Sequence, residues 1–276
     1  MAALSNLQKR VLAAFVYFPL LLCSVYDAIV FAWVISFIAA ICWHEYLGFG
    51  RVAFSSLSRY GRILLGISPT LCLAFNQRVE FALGLFLLMV QIDVVKALVE
   101  RKNLSFILIQ WKHDFFSFFY LTLPFTLLVL LQREPSGHVA VWFLFFIVGV
   151  TDAAAYFAGR RWGKRPFFQH ISPSKTVEGV WGGILGALLV SVVFYCVFHY
   201  YHFITPALLI CVILGGIIAV SSIFGDLFES LLKRFYGKKD SGWLLPGHGG
   251  VMDRFDGVIF ATIPLFVYVS WKGGFQ

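Results

Sequence analysis

The chain has 276 residues, of which 60% are hydrophobic and only 13% are charged, and its formal net charge is +8. A soluble domain normally carries about 25% charged residues, so this composition excludes an ordinary soluble protein. Apolar runs of about 20 residues recur along the chain, and that length crosses the hydrocarbon core of a bilayer as a helix. The sequence therefore predicts an all-α polytopic membrane protein.

The positive charge is spread over short segments between the apolar runs. Lysines and arginines in such loops set membrane orientation and contact anionic lipid, so the charge does not indicate a nucleic-acid partner. At the N-terminus, Lys9 and Arg10 precede an apolar run without a small-residue cleavage site, which predicts a retained signal anchor. The cysteines are interpreted as small apolar residues, because all lie in apolar runs and none has CxxC spacing. They are Cys23, Cys42, Cys72, Cys196 and Cys211.

Nine apolar segments are predicted to cross the membrane. They are 11–26, 28–48, 61–76, 80–98, 115–132, 139–158, 179–198, 204–232 and 256–271. With the N-terminus in the cytoplasm, Arg78, Arg133 and Lys272 fall outside, and the other 19 of the 22 lysines and arginines fall inside or at the inner boundary. This asymmetry follows the positive-inside rule, so we predict a cytoplasmic N-terminus and an external C-terminus.

The longest polar connections all fall on the cytoplasmic side of this topology, which places any chemistry there. They are 49–60, 99–113, 159–178 and 233–255. We interpret residues 1–135, with about five spans, as a transmembrane scaffold. Residues 136–276, with about four spans and the loops 159–178 and 233–255, are predicted to form the catalytic region.

Two carboxylates, Glu45 and Asp93, lie within the predicted scaffold spans. An ionisable residue inside a membrane is costly and is a functional candidate by default. Each also lies near the end of its span, where it can reach water or pair with a base such as Arg51 or Lys96. We favour this second interpretation.

The first polar constellation is TDAAAYFAGRRWGK, residues 151–164. Asp152, Tyr156 and Gly159 share one helical face by their spacing. A basic cluster follows at the predicted cytoplasmic mouth. Its members are Arg160, Arg161, Lys164 and Arg165. The pattern indicates either a functional carboxylate or an aspartate–arginine pair that holds helices together, and the residues alone leave both open.

The second constellation is SPSKTVEG, residues 172–179. Ser174 or Thr176 can cap a helix that starts near Glu178. Free amides at a helix N-terminus, beside Lys175, suit an anionic phosphate. An ordinary N-cap with a solvated lysine is the commoner explanation of such a segment by itself, and the P-loop pattern GxxxxGK[ST] is absent.

The third constellation begins inside the eighth predicted span with a polar stripe along one helical face. The stripe consists of Ser222, Asp226, Glu229 and Lys233. If Lys233 marks the membrane surface, Asp226 lies about 10 Å deeper by helical rise. The chain then enters a glycine-rich turn whose backbone freedom allows successive amides to form an anion-binding nest. The turn contains Gly247, Gly249 and Gly250.

Asp253 and Asp256 follow this turn at the start of the last predicted helix, where they can face Asp226. Several carboxylates among many lysines and arginines suit a divalent cation that bridges to phosphates. Mg²⁺ fits better than zinc, because oxygen ligands dominate and His248 is the only histidine of this segment. A charged re-entrant loop with glycine and proline turns is the alternative, and we favour phosphate chemistry.

At these residues the sequence resembles the phosphatidate cytidylyltransferase (CDP-diacylglycerol synthase) family. The family signature is matched by Ser230, Lys233, Arg234, Lys239, Asp240, Gly242, Leu245, Pro246, His248, Gly249, Gly250, Asp253, Arg254 and Asp256. Two further segments, Asp152–Gly159 and Ser172–Gly179, are also similar to the family, so the resemblance covers residues 135–271. Ala153 and Ala154 depart from the hydroxyl residue or glycine of many relatives, which bears only on packing.

The resemblance implies that phosphatidic acid and CTP react to CDP-diacylglycerol and pyrophosphate, with Mg²⁺ required and K⁺ an optional second ion. It implies that Asp226 and Asp253 hold the metal, with Asp152 and Asp256 assisting metal or nucleotide. The implied neutralisers of the triphosphate are Lys175, Lys233, Arg234, Lys239 and Arg254. The implied phosphate nest and remaining catalytic positions are Ser230, Asp240, His248, Gly249 and Gly250.

The expected partners are CTP, phosphatidic acid and membrane lipids, with no nucleic acid, and a homodimer is left open. The expected location is a bacterial inner membrane with the active site on the cytoplasmic side. A CTP-dependent polyprenol kinase or a related CTP:lipid transferase is the neighbouring alternative. A transporter would spread its carboxylates through the bilayer depth and show an inverted repeat, and the sequence shows neither.

Overall fold

The computed structural model describes residues 21, 23–49, 56–75, 77–99, 104–238, 241–242 and 249–276. Within these ranges the regular structure is helical and no β-strand forms, although an isolated antiparallel bridge joins Pro166 and Thr176. The chain is an all-α membrane protein, as its composition predicts.

Nine α-helices and one π-helical turn make up the described structure. They are α1 Ala28–Leu47, α2 Ser56–Ala74, α3 Val79–Val99, α4 Leu104–Ser117, the π-helix Phe118–Thr122, α5 Leu123–Arg133, α6 Gly137–Trp162, α7 Val177–Tyr200, α8 Leu208–Phe235 and α9 Met252–Lys272.

Six helical stretches of the described residues are long and apolar enough to cross a membrane. They are Ala28–Leu47, Leu108–Arg133, Gly137–Trp162, Val177–Tyr200, Leu208–Phe235 and Met252–Lys272. Each coincides with a predicted span. The predicted spans 61–76 and 80–98 lie on α2 and α3, which are outside this set, and most of 11–26 lies outside the described residues. Nine spans therefore stay a prediction.

The chain forms two compact units. One contains residues 1–129 and 241–252, and the other contains residues 130–240 and 253–276. The division at residue 135 into a scaffold and a catalytic region concerns function and stays a prediction.

In the first unit, helices α1 and α2 and the π-helix are joined by polar side chains that bond inside the apolar packing. The Trp43 indole Nε1 donates to Thr122 Oγ1 at 3.1 Å, and Thr122 Oγ1 donates to the carbonyl of Gly66 at 2.7 Å. A Cβ at Gly66 would lie 2.2 Å from the Trp43 ring, so the indole packs directly on the α2 backbone. Small residues at such contacts let membrane helices approach closely and satisfy polar groups against one another.

A buried ion pair joins α2 to α4 in the same unit. Arg62 Nε lies 2.9 Å from Asp114 Oδ1, and the two side chains are 2% and 0% exposed. Arg62 also donates to Ser58 Oγ. Because both charges have left water, each depends on the other to offset its desolvation.

We expect Asp114→Asn to lower the free energy of unfolding by about 3 kcal/mol, because it leaves the Arg62 guanidinium buried without its counter-charge. The midpoint of thermal unfolding in detergent measures this. The matched control is Glu80→Gln, which removes a carboxylate from an exposed position on α3. Equal midpoints for the two variants would contradict the assignment.

In the second unit, α6 and α7 pack through small residues. A Cβ added at Gly182 would lie 2.2 Å from Ala158 Cβ, and one at Gly186 would lie 2.7 Å from Ala154 Cβ. At Gly179 it would lie 2.9 Å from a backbone carbonyl of α6. The two backbones are thus as close as small-residue membrane interfaces allow. Ala154 is part of this interface.

We expect Gly182→Ala to destabilise the protein by about 1–3 kcal/mol, since the new methyl group overlaps Ala158 and forces the helices apart. Gly149→Ala on α6 is the matched control, because a Cβ there meets nothing within 4 Å. Alanine also has the better helix propensity at both positions, so the control should be neutral or stabilising. Thermal unfolding in detergent compares the pair, and a Gly182→Ala variant as stable as the control would refute the tight interface.

Candidate active site

The polar stripe predicted on the eighth span lies on α8. Glu229 is buried, with 1% of its side chain exposed, whereas Asp226 is 39% exposed. Ser230 Oγ lies 3.5 Å from Asp226 Oδ1, one helical turn away. Further toward the helix end, Arg234 is exposed. The stripe therefore contains a buried carboxylate, a half-exposed one and the partly buried cation Lys233, and the exposed Arg234 follows it.

Glycines bring α8 and α9 into backbone contact at this level. A Cβ at Gly225 would lie 2.4 Å from the carbonyl oxygen of Asp256, and one at Gly257 would lie 2.4 Å from Ser222 Oγ. Asp256 is consequently buried and within electrostatic range of Asp226. The structure thus brings together the carboxylates of two helices that the sequence separates by about 30 residues of chain, as close glycine-mediated packing permits.

Each carboxylate assigned to the metal is held by a lysine. Lys175 Nζ lies 2.6 Å from Asp226 Oδ2. Lys233 Nζ lies 2.6 Å from Asp253 Oδ1 and 2.9 Å from Glu229 Oε2. Lys233 is therefore shared by two carboxylates from different helices, and the site contains positive charge directly beside its acidic groups.

Lys175 reaches Asp226 because its loop is tied to the start of α7. Thr176 is the N-cap, and its side chain accepts a hydrogen bond from the amide of Gly179 at 3.2 Å. The prediction of a capped helix in this segment is confirmed, with α7 beginning at Val177. Because the cap precedes the helix directly, Lys175 sits at the positive end of the α7 dipole, which favours anions nearby.

Glu178, in the first turn of α7, holds the incoming chain from α6. Its Oε2 accepts from the amides of Lys164 and Arg165 at 3.0 and 3.2 Å, and its Oε1 accepts from Arg165 Nε at 3.0 Å. The bridge between Pro166 and Thr176 closes the base of the same loop. The loop that carries Lys175 is thus fixed at both ends.

Asp152 lies on α6, at a position exposed on the surface of the chain. Its charge acts on Asp226, Lys175 and Arg254. In the described part of the chain no ion pair ties Asp152 to an arginine of α6, where Arg160 instead donates to the Tyr156 hydroxyl at 3.3 Å. This placement favours the functional interpretation of Asp152 over the helix-pairing one.

Some of the remaining predicted residues belong to the described part of the chain, and the others lie outside it. Arg254 is exposed on the first turn of α9. Gly249 has φ +81°, a conformation suited to an amide nest, and Gly250 is buried beside it. The predicted positions outside the described residues are Lys239, Asp240, Leu245, Pro246, Gly247 and His248.

The donor set fits Mg²⁺ only with help from the substrate. Among the residues that the structure describes, no three or more His, Cys, Asp or Glu side chains form a ready-made metal cage. Mg²⁺ is commonly held by one or two carboxylates together with substrate phosphates and water. Asp226 and Asp253 supply that number of carboxylates.

Comparison with known proteins shows the family to which the chain belongs. A family model described as the cytidylyltransferase family matches residues 8–271. The chain belongs to this family. A phosphatidate cytidylyltransferase of Haemophilus influenzae is 32% identical over 295 aligned positions, which cover 95% of this chain and 98% of that protein.

Other members of the cytidylyltransferase family match over a shorter part. The phosphatidate cytidylyltransferase of Staphylococcus epidermidis is 42% identical over 134 residues, covering 49% of this chain and 50% of that protein. That of Bacillus subtilis is 40% identical over 137 residues, covering 50% of this chain and 49% of that protein. In these two alignments the chain spans about half the length of the relative.

Two carboxylates have roles that the sequence did not predict. Glu229 was placed on the α8 stripe without a function, yet it shares Lys233 with Asp253. Glu45 was expected to reach water or to pair with a base such as Arg51. The expectation of water is wrong, because Glu45 is 6% exposed and accepts hydrogen bonds from residues 241–252, whereas pairing with Arg51 stays a prediction. In the sequence, only the position of Glu45 inside an apolar span indicated that this residue has a specific partner. The side chain of Asp93 lies outside the described residues, as does Arg51.

Proposed function

We propose that the protein is a phosphatidate cytidylyltransferase that converts CTP and phosphatidic acid to CDP-diacylglycerol and pyrophosphate. A phosphatidate oxygen attacks the α-phosphorus of CTP, forming the new phosphoanhydride bond. The bond from the α-phosphorus to the oxygen that bridges to the β-phosphorus breaks, and pyrophosphate leaves with that electron pair. Two lysine–aspartate contacts at 2.6 Å, in a chain of this family, carry the proposal. They join Lys175 to Asp226 of α8 and Lys233 to Asp253 of α9.

The arrangement suits phosphoryl chemistry for an electrostatic reason. The reaction brings a lipid phosphate and a triphosphate together, so most of the catalytic work is positioning and charge neutralisation. Lys175 and Lys233 supply cations that are already ordered by Asp226 and Asp253. Arg254 adds a third, exposed cation on α9. A site without such cations would leave the phosphates to repel one another.

Asp226 and Asp253 are proposed to hold Mg²⁺, with Asp152 and Asp256 assisting metal or nucleotide. When bound, Mg²⁺ would supply positive charge to phosphate oxygens of both substrates. Lys175 and Lys233 then neutralise phosphate charge from the positions next to these carboxylates. K⁺ as a second ion is part of the proposal and is tested by replacing it with another monovalent cation.

Further phosphate contacts, and a catalytic position at Asp240, are proposed for residues that match the family signature. They are Ser230, Arg234, Lys239, Asp240, His248, Gly249 and Gly250. The positive φ of Gly249 supports the amide nest among these.

The proposal includes a topology. Nine spans, a cytoplasmic N-terminus and an external C-terminus would place the site on the cytoplasmic side of a bacterial inner membrane. There Asp226, about 10 Å below the level of Lys233 by helical rise, could meet a lipid phosphate while the loops receive CTP from water. Membrane lipids are therefore partners of the site, and a homodimer is an additional option that cross-linking in native membranes would detect.

Purified protein given phosphatidic acid and CTP, with and without Mg²⁺, tests the proposal. We expect equal amounts of CDP-diacylglycerol and pyrophosphate with Mg²⁺ and a rate at least 100-fold lower after chelation. Absence of the CDP-lipid product under both conditions would overturn the proposed activity, and full activity after chelation would overturn the metal assignment.

A further inference from the structure

Glu45 is a buried, hydrogen-bonded carboxylate that has no role in the proposed mechanism. It lies near the end of α1 and only 6% of it is exposed. Its Oε1 accepts from the amide of Val251 at 2.9 Å, and its Oε2 accepts from the amide of Met252 at 2.9 Å and from Ser241 Oγ at 3.0 Å. Both carboxylate oxygens are thus engaged by one distant segment of the chain.

The partners of Glu45 are well suited to a buried negative charge. Met252 is the first residue of α9, so the two backbone amides belong to the end of that helix where N–H groups lack intrahelical acceptors. The same end carries the positive pole of the helix dipole. Hydrogen bonds to a charged acceptor are about twice as strong as neutral ones. A buried carboxylate would otherwise be expensive at this depth.

Two glycines enclose the same carboxylate. A Cβ added at Gly242 would lie 2.5 Å from Glu45 Oε1, and one at Gly250 would lie 2.5 Å from Glu45 Oε2. Any larger residue at either position would therefore displace the carboxylate or the backbone. These glycines flank the stretch 243–248 on its two sides.

Glu45 consequently contacts the segment 241–252 at both ends. At the beginning it meets Ser241 and Gly242, and at the end it meets Gly250, Val251 and Met252. The two ends of the segment therefore lie close together around one carboxylate of α1. This segment carries most of the glycines that match the family signature, and Asp253 directly follows it.

We propose that Glu45 is a positioning residue for the signature segment 241–252. Its carboxylate fixes both ends of the segment and the first amide of α9, so that Gly249 and Gly250 adopt one conformation. The kinetic part of this inference rests on the proposed cytidylyltransferase activity, whereas its structural part does not.

The test compares Glu45→Gln with the matched control Glu80→Gln, which makes the same chemical change at an exposed position. Glutamine keeps the size of the side chain but turns one acceptor into a donor that faces N–H and O–H groups. Hydrogen exchange of the amides 249–252 reports on the segment directly. We expect exchange there to rise about 10- to 100-fold in Glu45→Gln, as loss of one charge-assisted hydrogen bond predicts, with α6 and α7 unchanged.

Steady-state kinetics separates positioning from a general loss of stability. A smaller folded fraction would lower kcat and leave KM for CTP unchanged, whereas a misplaced signature segment should raise KM for CTP about tenfold. Exchange within twofold of wild type at 249–252, or a fall in kcat with unchanged KM, would overturn the proposal. If the wild type makes no CDP-lipid, the proposed function fails but the exchange result still decides whether Glu45 positions the segment.

A milder variant covers the case in which Glu45→Gln does not fold. Ser241→Ala removes one of the three donors to Glu45 and keeps the two backbone donors, Val251 and Met252. We expect a rise in exchange of about threefold at 249–252, below the loss of a full hydrogen bond to a charged group. No change in that variant, with Glu45→Gln unfolded, would also count against the proposal.

Discussion

Asp226→Asn and Asp253→Asn are each expected to reduce cytidylyl transfer at least 1,000-fold while the protein still inserts and folds. Asparagine has nearly the same shape but no charge, so it is a poor ligand for Mg²⁺ and removes the negative charge beside Lys175 or Lys233. Loss of preorganised charge at a reacting phosphate typically has effects of this size. Formation of CDP-diacylglycerol over a range of Mg²⁺ concentrations measures it.

The matched control for both variants is Asp27→Asn. Asp27 is exposed and caps α1, with its side chain accepting from the amides of Ile29 and Val30. Asparagine caps helices as well as aspartate does, so this control should retain full activity. Activity above one tenth of wild type in both site variants, at saturating Mg²⁺, would refute the metal assignment. The family membership would stand, because it rests on the sequence comparison.

Lys233→Met is expected to cause two separable losses. The folded state should lose about 3–5 kcal/mol, because Glu229 is 1% exposed and would lose the cation that offsets its desolvation. Transfer activity should fall at least 100-fold, since the cation shared with Asp253 is also removed. Thermal unfolding and CDP-diacylglycerol formation measure the two effects on the same preparation.

Adding Glu229→Gln to Lys233→Met separates these effects. The double variant has no buried unpaired charge at this point, so most of the lost stability should return. Its activity should remain low, because no cation replaces Lys233 beside Asp253. Lys112→Met, at an exposed position, is the control for loss of a lysine in general. A double variant that recovers activity together with stability would show that Lys233 only neutralises Glu229.

Local patterns in the sequence predicted much of this structure. The stripe on α8 follows from 3.6-residue periodicity, and the Thr176 cap follows from the preference of hydroxyl residues for helix starts. Six predicted spans coincide with helices of sufficient length and apolar character. These features depend on residues within one or two helical turns, so a single sequence contains the necessary information.

Contacts between distant segments could not be predicted in the same way. Glu45 and Ser241 are 196 residues apart, and Lys233 and Asp253 are 20 residues apart on different helices. An intramembrane carboxylate indicates that a partner exists but not which one, because water, a cation and a helix N-terminus can all satisfy it. Gly242 and Gly250 were recognised only as signature or turn residues, and Gly225 and Gly257 were not singled out, although each of the four marks a close approach that the three-dimensional packing requires.

The most direct test of the central claim determines which products receive the α-phosphorus and the γ-phosphorus of CTP. Purified protein is incubated with phosphatidic acid, Mg²⁺ and CTP labelled at either the α- or the γ-phosphorus, and lipid and aqueous products are separated. The proposed function predicts the α-label in the lipid as CDP-diacylglycerol and the γ-label in free pyrophosphate. Transfer of the γ-label to lipid, with the α-label remaining in CDP, would contradict it and would show a lipid kinase instead.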